Sequence, residues 1–307
     1  MGDTYRINSV ALCGYGYWGK NLARVLHKLG VLTAIVDENK EALDRARADY
    51  PGKAFCTGLP SNIAGLFDGF IIATPPETHY SLAAETLERG LNVFVEKPLA
   101  TRASDAEDLE RLATQNKLHL ATGHIYLNCP GLMAIPISIG KSQLYMRLLN
   151  VGGAPSNSTR DLIWAGMPHA ASVAAHFFQH DYPTRMTVMS SNKGNRVQAW
   201  LSYFDGSEAI LDVGDFTGIR KRDVEFRVGG ERYTFNVDKP YKHTAWYSRQ
   251  EYITLDTPKE ILELEIIKFL NKEVIGPPGS LVVRLVEDIN ILKEKSERDS
   301  NGEIPNS

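Results

Sequence analysis

Residues 10–21, VALCGYGYWGKN, constrain this chain more than any other stretch. Residues 10–13 form a short apolar run of the kind a buried strand makes, and Gly14, Gly16 and Gly19 follow in G-x-G-x-x-G spacing. Leu22, Val25, Leu26 and Leu29 then recur at i, i+3, i+4 and i+7, one apolar face of a helix. Strand, glycine turn and helix in that order suit a dinucleotide. The first glycine permits the tight turn, the second lets a pyrophosphate approach the backbone, and the third lets helix and strand pack closely. N–H groups at the helix start, reinforced by the helix dipole, would face the phosphates. An ordinary glycine-rich βα turn has the same local composition, so the rest of the chain has to decide.

Residues 33–36 (TAIV) are a second apolar run, ending at Asp37. A carboxylate there would bond the adenine-ribose hydroxyls and repel a 2′-phosphate, which predicts NAD(H) over NADP(H); a solvated turn carboxylate is the plain alternative. Residues 38–50 are polar and favour a helix. Residues 70–73 (FIIA) read as the third strand, before Thr74-Pro75-Pro76-Glu77-Thr78-His79, and residues 80–89 as a helix closed by Gly90. Residues 92–95 (NVFV) are a fourth strand running into Glu96-Lys97-Pro98. Ser104 and Glu107 have capping-box spacing at the start of the next helix, and residues 119–122 are a fifth strand ending at Gly123-His124. Strands alternating with helices predict a parallel sheet, with ligands beyond the strand C-termini. Gly14, Asp37, Thr74, Glu96, Lys97 and His124 all follow strands, so one crevice can hold them all.

The pattern then changes. Residues 143–149 read as a strand and 161–180 as mostly helix. Period-two runs follow at 186–189, 197–203, 208–213, 224–228 and 233–237, with hairpin turns at Asp205-Gly206 and Gly229-Gly230. This predicts an open, mainly antiparallel sheet whose Val197, Ala199, Leu201 and Tyr203 face a helix. Residues 258–274 and 281–293 read as closing helices, and the last ten residues as a polar, frayed end. The expected fold class is α/β: a Rossmann parallel sheet over 1–124, then an α+β substrate-binding and dimerisation domain over 125–307. The closing helices near 258–295 are free to pack back on the first domain.

With 43% hydrophobic and 23% charged residues and a net charge of −3, nothing favours nucleic acid or an anionic membrane. No run of 18 apolar residues occurs and the opening MGDTYRINS has no signal-peptide core, so a cytoplasmic location is expected. Cys13, Cys56 and Cys129 lack metal-ligand spacing and read as reduced thiols; no metal is expected.

In these residues the chain resembles the Gfo/Idh/MocA oxidoreductases. Three signatures carry the resemblance in order: GYGYWGKN at 14–21, ATPPETH at 73–79 and EKPLA at 96–100. Leu149-Asn150-Val151-Gly152 and Trp164 through Pro168-His169 look like the subgroup acting on nucleotide-linked amino sugars, which includes the UDP-N-acetylglucosamine 3-dehydrogenases. The resemblance spans roughly residues 8–295 and is poorest at 126–142, where part of a linking helix is missing. It implies hydride transfer between NAD and a sugar carbon, and self-association into a dimer or tetramer through the second sheet. Gly14, Gly16, Tyr17, Trp18 and Gly19 would hold the pyrophosphate and Asp37 the ribose. Thr74, Pro75 and His79 would lie beside the cofactor, and Glu96 and Lys97 near the nicotinamide. Lys97 corresponds to the catalytic lysine and His169 to the acid/base. The candidate substrate-side residues are His124, Tyr126, Asn150, Arg160 and His169.

Such a reaction needs a proton acceptor about 2.6–3.2 Å from the hydroxyl, and a histidine of ordinary pKa about 6.5 suits this. Lys97 would position the hydroxyl and stabilise charge on its oxygen, or take the proton itself if its pKa were lowered. A solvated lysine and a satisfied core histidine are the plain alternatives. The family's aspartate four residues before the histidine is Ala165 here, and the residue after it is Ala170. A cofactor-binding regulatory protein without chemistry, or an imine reductase of the same family, are therefore the competing readings. Arg147, Arg160 and the cluster Arg220-Lys221-Arg222 are candidate anion binders, or surface charges.

Overall fold

The VALC run is wholly buried, and the helix after it turns Leu22, Val25 and Leu26 inward. The computed structural model describes residues 5–59, 65–135, 137, 141–149, 162–179, 181–191, 195–214, 221–228, 230–236, 243–246, 252–255 and 259–300. The alternation continues through β1 (Val10–Cys13), α1 (Tyr17–Lys28), β2 (Leu32–Val36), α2 (Lys40–Asp49), β3 (Ala54–Cys56), β4 (Gly69–Ile72), α3 (His79–Glu88), β5 (Asn92–Val95), α4 (Ala103–Asn116) and β6 (Leu120–Thr122). All pairings are parallel and the order across the sheet is β3-β2-β1-β4-β5-β6, a doubly wound topology with its switch point between β1 and β4. Two sequence expectations need correction. β3 was not foreseen, because three partly exposed residues at the sheet edge make no apolar run. The capping box at Ser104 and Glu107 does not form. α4 begins two residues earlier than such a cap requires, with Arg102 at its N-cap, and the Ser104 hydroxyl points to Asp105 at 3.4 Å.

The strands end in register with their loops. One amide past each strand end continues the ladder: Gly14 N–H to the Val36 carbonyl (2.8 Å), Asp37 to Cys56 (3.1 Å), Ala73 to Cys13 (2.8 Å), Glu96 to Ile72 (2.9 Å) and Gly123 to Val95 (2.8 Å). Five loops are thereby fixed along one edge of the sheet.

The chain divides into two compact units, Met1–His124 with Ile261–Ile275, and Ile125–Glu260 with Gly276–Ser307. The second contains α5 (Pro130–Met133), β7 (Ser142–Leu149), α6 (Leu162–Phe177), β8 (Arg185–Ser191), β9 (Arg196–Ser202), β10 (Glu208–Gly214), β11 (Lys221–Val228), β12 (Glu231–Asn236), β13 (His243–Trp246) and β14 (Tyr252–Leu255). Helices α7 (Ile261–Leu270) and α8 (Gly279–Ser300) follow, α7 in the first unit and α8 in the second. The sheet order is β14-β13-β12-β11-β7-β10-β9-β8, antiparallel except between β7 and β10. β13 and β14, four residues each at one end of the sheet, were not foreseen.

Register explains the second sheet's two faces. Val188, Ala199, Leu211, Met146, Val224 and Phe235 form one cross-strand row, all buried, on the face covered by α6 and α8. One residue along, Met189, Gln198, Asp212, Arg147 and Asp223 form a row on the opposite face. α8 outlasts its apolar face and reaches Ser300, so the polar end is helical that far; the Ser190 hydroxyl donates to Glu297 at 2.6 Å. In the first unit, α7 is anchored by the Ile7 N–H to Leu270 carbonyl bond (2.9 Å), by Lys28–Glu263 (2.6 Å), and by Phe269 against Phe94 (ring centres 5.7 Å apart).

Among the described residues no disulfide forms, no group of side chains could hold a metal ion, and no helix is long and apolar enough to cross a membrane.

Candidate functional site

The three loop glycines do different work. Gly14 has φ +96°, and a Cβ there would lie 2.6 Å from the Ala73 carbonyl oxygen, so the switch point admits no side chain. A Cβ on Gly19 would lie 1.9 Å from the Gly14 carbonyl oxygen. Gly16 has nothing within 4 Å of its would-be Cβ. It is the N-cap of α1, where no side chain accepts from the helix amides and the first turn carries no acid. The positive end of α1 is thus offered to an outside anion beside an open glycine.

Asp37, half-buried at the end of β2, braces this loop. Its Oδ2 accepts the Tyr15 N–H at 2.6 Å and its Oδ1 the Asn39 N–H at 2.8 Å. The Tyr15 phenol donates to Asp49 at 2.6 Å. Burial, with Asp37 and Glu38 adding repulsion, pushes the Cys13 thiol up to about 12, so this cysteine beneath the loop is chemically inert. Tyr17 is 80% exposed. Trp18 turns the other way, its indole N–H donating to Glu96 Oε1 at 2.5 Å.

The loops after β4 and β5 are joined by His79. Its two ring nitrogens face the Pro98 carbonyl (2.7 Å) and the Thr74 carbonyl (2.9 Å), and the side chain is buried. Burial lowers its pKa against the pull of those two carbonyls. His79 therefore shapes the cofactor edge from inside, while Thr74 and Pro75 are the surface members, the Thr74 hydroxyl bonding Thr78 at 2.7 Å. Glu96 and Lys97 lead into a cis Lys97–Pro98 peptide, both side chains half-buried. Burial raises the Glu96 carboxyl pKa, opposed by the Trp18 donor and the Lys97 charge. At the end of β6, burial pushes the His124 imidazole down to about 4, so it is neutral at ordinary pH.

Gly14, Gly16, Trp18, Gly19, Asp37, Thr74, His79, Glu96, Lys97 and His124 thus share one edge of the first unit. Tyr126 and His169 belong to the second, where their rings lie 4.8 Å apart. His169 is half-buried on α6, directly after Pro168, which denies the Trp164 carbonyl its helical donor. Ser172 Oγ donates to the His169 carbonyl at 2.9 Å. Ala165 is half-buried and Ala170 fully buried. Asn150, Arg160, Asp161 and Arg220 lie outside the described residues. Arg147 is engaged within the sheet, donating to the Tyr145 hydroxyl at 2.9 and 2.5 Å, 3.6 Å from Asp212.

Two site residues escaped the sequence analysis. A Cβ on Gly123 would lie 3.0 Å from Glu96 Oε2, and Glu265 on α7 is wholly buried with its carboxyl bonded to the His124 backbone N–H. Glu265 was readable in principle: it falls between Leu262 and Phe269 at i+3 and i−4, on an otherwise apolar stripe.

A dinucleotide fits these donors. An uncapped helix N-terminus beside an open glycine suits a pyrophosphate, and a carboxylate at the end of the next strand suits a ribose. Comparison with known proteins agrees. Residues 8–124 match the family model described as "Oxidoreductase family, NAD-binding Rossmann fold" of the GFO_IDH_MocA group. The UDP-N-acetylglucosamine 3-dehydrogenase of Acidithiobacillus ferrooxidans is 32% identical over 114 residues, 36% of this chain and 35% of that one. The sequence match thus spans about a third of that relative's length. The solved structure of that organism's UDP-N-acetylglucosamine 3-dehydrogenase GnnA superposes with a TM-score of 0.82 at 20% identity, covering 94% of this chain and 98% of the other. GenD2 from gentamicin A biosynthesis, solved in complex with NAD, gives 0.77 at 18% identity, covering 98% and 97%. At such identities the structural likeness is one of fold.

Proposed function

We propose, from the match of residues 8–124 to the NAD-binding Rossmann model of the Gfo/Idh/MocA oxidoreductases, that the chain is an NAD(H)-dependent oxidoreductase acting on a sugar. The reaction moves hydride between the nicotinamide and a carbinol or keto carbon, and the substrate is a nucleotide-linked or amino sugar. One observation carries the proposal: the uncapped start of α1, the Asp37 carboxylate and the Glu96-Lys97 pair all stand at the C-terminal edge of one doubly wound sheet. The cofactor supplies the hydride chemistry. Glycines 14 and 19 keep the loop closed so that Gly16 and the first amides of α1 can hold the pyrophosphate. Asp37 takes the ribose hydroxyls and repels a 2′-phosphate, which favours NAD(H) over NADP(H). Lys97 hydrogen-bonds the reacting oxygen and stabilises charge on it, and His169 serves as the proton acceptor. The sugar-level assignment is supported by the sequence likeness to the Acidithiobacillus ferrooxidans enzyme. Self-association through the open face of the second sheet and a cytoplasmic location are further parts of the proposal.

The test follows NADH absorbance with the purified protein, supplying NAD against a panel of nucleotide sugars and free sugars and NADH against cyclic imines. Turnover of a nucleotide sugar that falls at least ~100-fold in Lys97→Met, with NADH affinity retained, supports the proposal. Ala165 and Ala170 favour a second reading, a cofactor-binding regulatory protein. NADH binding with no turnover across the panel would establish that reading instead, and turnover of an imine alone would make the chain an imine reductase.

A further inference from the structure

The dinucleotide site leaves one buried carboxyl group without a role. Glu265 lies on the stripe of α7 that Leu262, Ile266 and Phe269 also form, and it is wholly shielded from solvent. Its carboxyl accepts the His124 backbone N–H. One residue earlier in the same turn, the missing Cβ of Gly123 leaves room for Glu96 Oε2, which would be 3.0 Å from it. Two carboxyl groups therefore converge on the Gly123-His124 dipeptide at the end of β6.

Their surroundings differ. Glu96 accepts the Trp18 indole N–H at 2.5 Å and the Lys97 backbone N–H at 3.3 Å, and the Lys97 charge acts on it. Glu265 feels Lys268 on its own helix and the Glu96 charge opposite, while the imidazole of His124 is neutral and Glu263 is engaged by Lys28 of α1. The Glu96 charge facing a wholly buried Glu265 disfavours ionisation of the second carboxyl. A protonated Glu265 still offers its carbonyl oxygen to the His124 N–H and gains a hydroxyl donor.

We propose that Glu96 and Glu265 hold one proton between them, carried by Glu265, and that Glu265 is a positioning residue for the Glu96 carboxylate. Through Glu96 it holds the Trp18 indole and the Lys97 backbone at the cofactor edge. Burial raises both carboxyls, and the Glu96 charge helps to raise Glu265 well above the usual carboxylate range. The link to cofactor binding rests on the dinucleotide reading above; the shared proton does not.

The deciding experiment titrates Trp18 emission in the cofactor-free protein, taken as the difference between wild type and Trp18→Phe, from about pH 5 to 9. The expected result is one transition well above the ordinary carboxylate range, absent from Glu265→Gln, which keeps the carbonyl acceptor and cannot ionise. A difference trace without that transition, or one unchanged by Glu265→Gln, overturns the proposal. A second measurement is stability against pH. A carboxyl whose folded pKa is raised contributes stability that is complete below its unfolded value and is lost as pH rises through the folded value. Glu265→Gln should therefore gain stability on wild type at alkaline pH; equal stability at acid and alkaline pH in both proteins counts against the pair. NADH affinity should weaken through the same transition in wild type and stay flat in Glu265→Gln. Failure to bind NADH at any pH would sink the dinucleotide reading alone, because the cofactor-free titration still decides the shared proton.

Discussion

Replacing the loop glycines one at a time separates a glycine that closes the fold from one that serves a ligand. In Gly19→Ala the new Cβ would start 1.9 Å from the Gly14 carbonyl oxygen, about 1.5 Å inside ordinary contact at 3.4 Å. Neither partner can yield cheaply. The Gly14 amide is fixed to Val36, and the helix carrying Gly19 buries Leu22, Val25 and Leu26 completely. Relief by sliding α1 would loosen those side chains, so a loss of about 3 kcal/mol is expected, at the upper end for an overpacked core. For a unit of this size that lowers the melting temperature by roughly 6–12 °C. Gly16→Ala meets nothing within 4 Å at a φ of −77°, so its unfolding free energy should stay within about 0.5 kcal/mol of wild type. Its methyl nevertheless occupies the open face of the helix start, and the NADH dissociation constant should rise about tenfold or more, which is ~1.4 kcal/mol. Urea denaturation without cofactor and NADH titration by fluorescence measure the two effects separately. Comparable destabilisation by both substitutions, or an unaltered NADH affinity in Gly16→Ala, would refute this division of labour.

Asp37→Ala removes the acceptor for the Tyr15 and Asn39 amides, charge-assisted bonds each worth roughly 1.5–3 kcal/mol, and calorimetry should show weaker NADH binding with a smaller preference over NADPH. Retention of the full preference would assign the discrimination to another residue. Burial holds the His124 pKa at about 4 against 6.5, so the folded state resists protonation that the unfolded chain accepts. The stability present above about pH 6.5 is then lost as pH falls through about 4, on the order of 3 kcal/mol, and urea midpoints in His124→Gln should depend less on pH over that window. In the second unit Asp212 is fully buried between Arg196, which reaches it through two bonds of 2.8 Å, and the Tyr145 hydroxyl at 3.0 Å. Asp212→Ala removes the carboxylate that Arg196 and Arg147 share and should cost about 3 kcal/mol, the lower end for a broken buried pair because both arginines are about a third exposed. Pairing it with Arg196→Met should recover part of that loss; no recovery in the double variant would argue against the ion pair as the cause.

The first sheet was legible because parallel strands covered on both faces are continuous apolar runs, as in VALC and FII, and the glycines between them mark the turns. β3 was not, since an edge strand only half covered needs no such run. The second sheet alternates cleanly along β9, where Val197, Ala199 and Leu201 are buried and Arg196, Gln198 and Trp200 are not. The parallel pairing of β7 with β10 left no trace in either strand, because alternation records which face a residue takes and not which neighbour it meets.

Local sequence alone determined the glycine loop and the order of strands and helices, since each depends on contacts between residues near in the chain or on burial; that Asp37 also braces the loop through the Tyr15 amide, 22 residues away, is a tertiary outcome. Tertiary structure decided that Trp18 meets Glu96, that His79 ties the Thr74 loop to Pro98, and that Glu265 returns from far along the chain to the turn where Glu96 lies. Such partnerships depend on packing between distant elements. A carboxyl in a dry site shows in the sequence only as a charged residue on an apolar stripe, and its protonation is settled by the charge brought to face it.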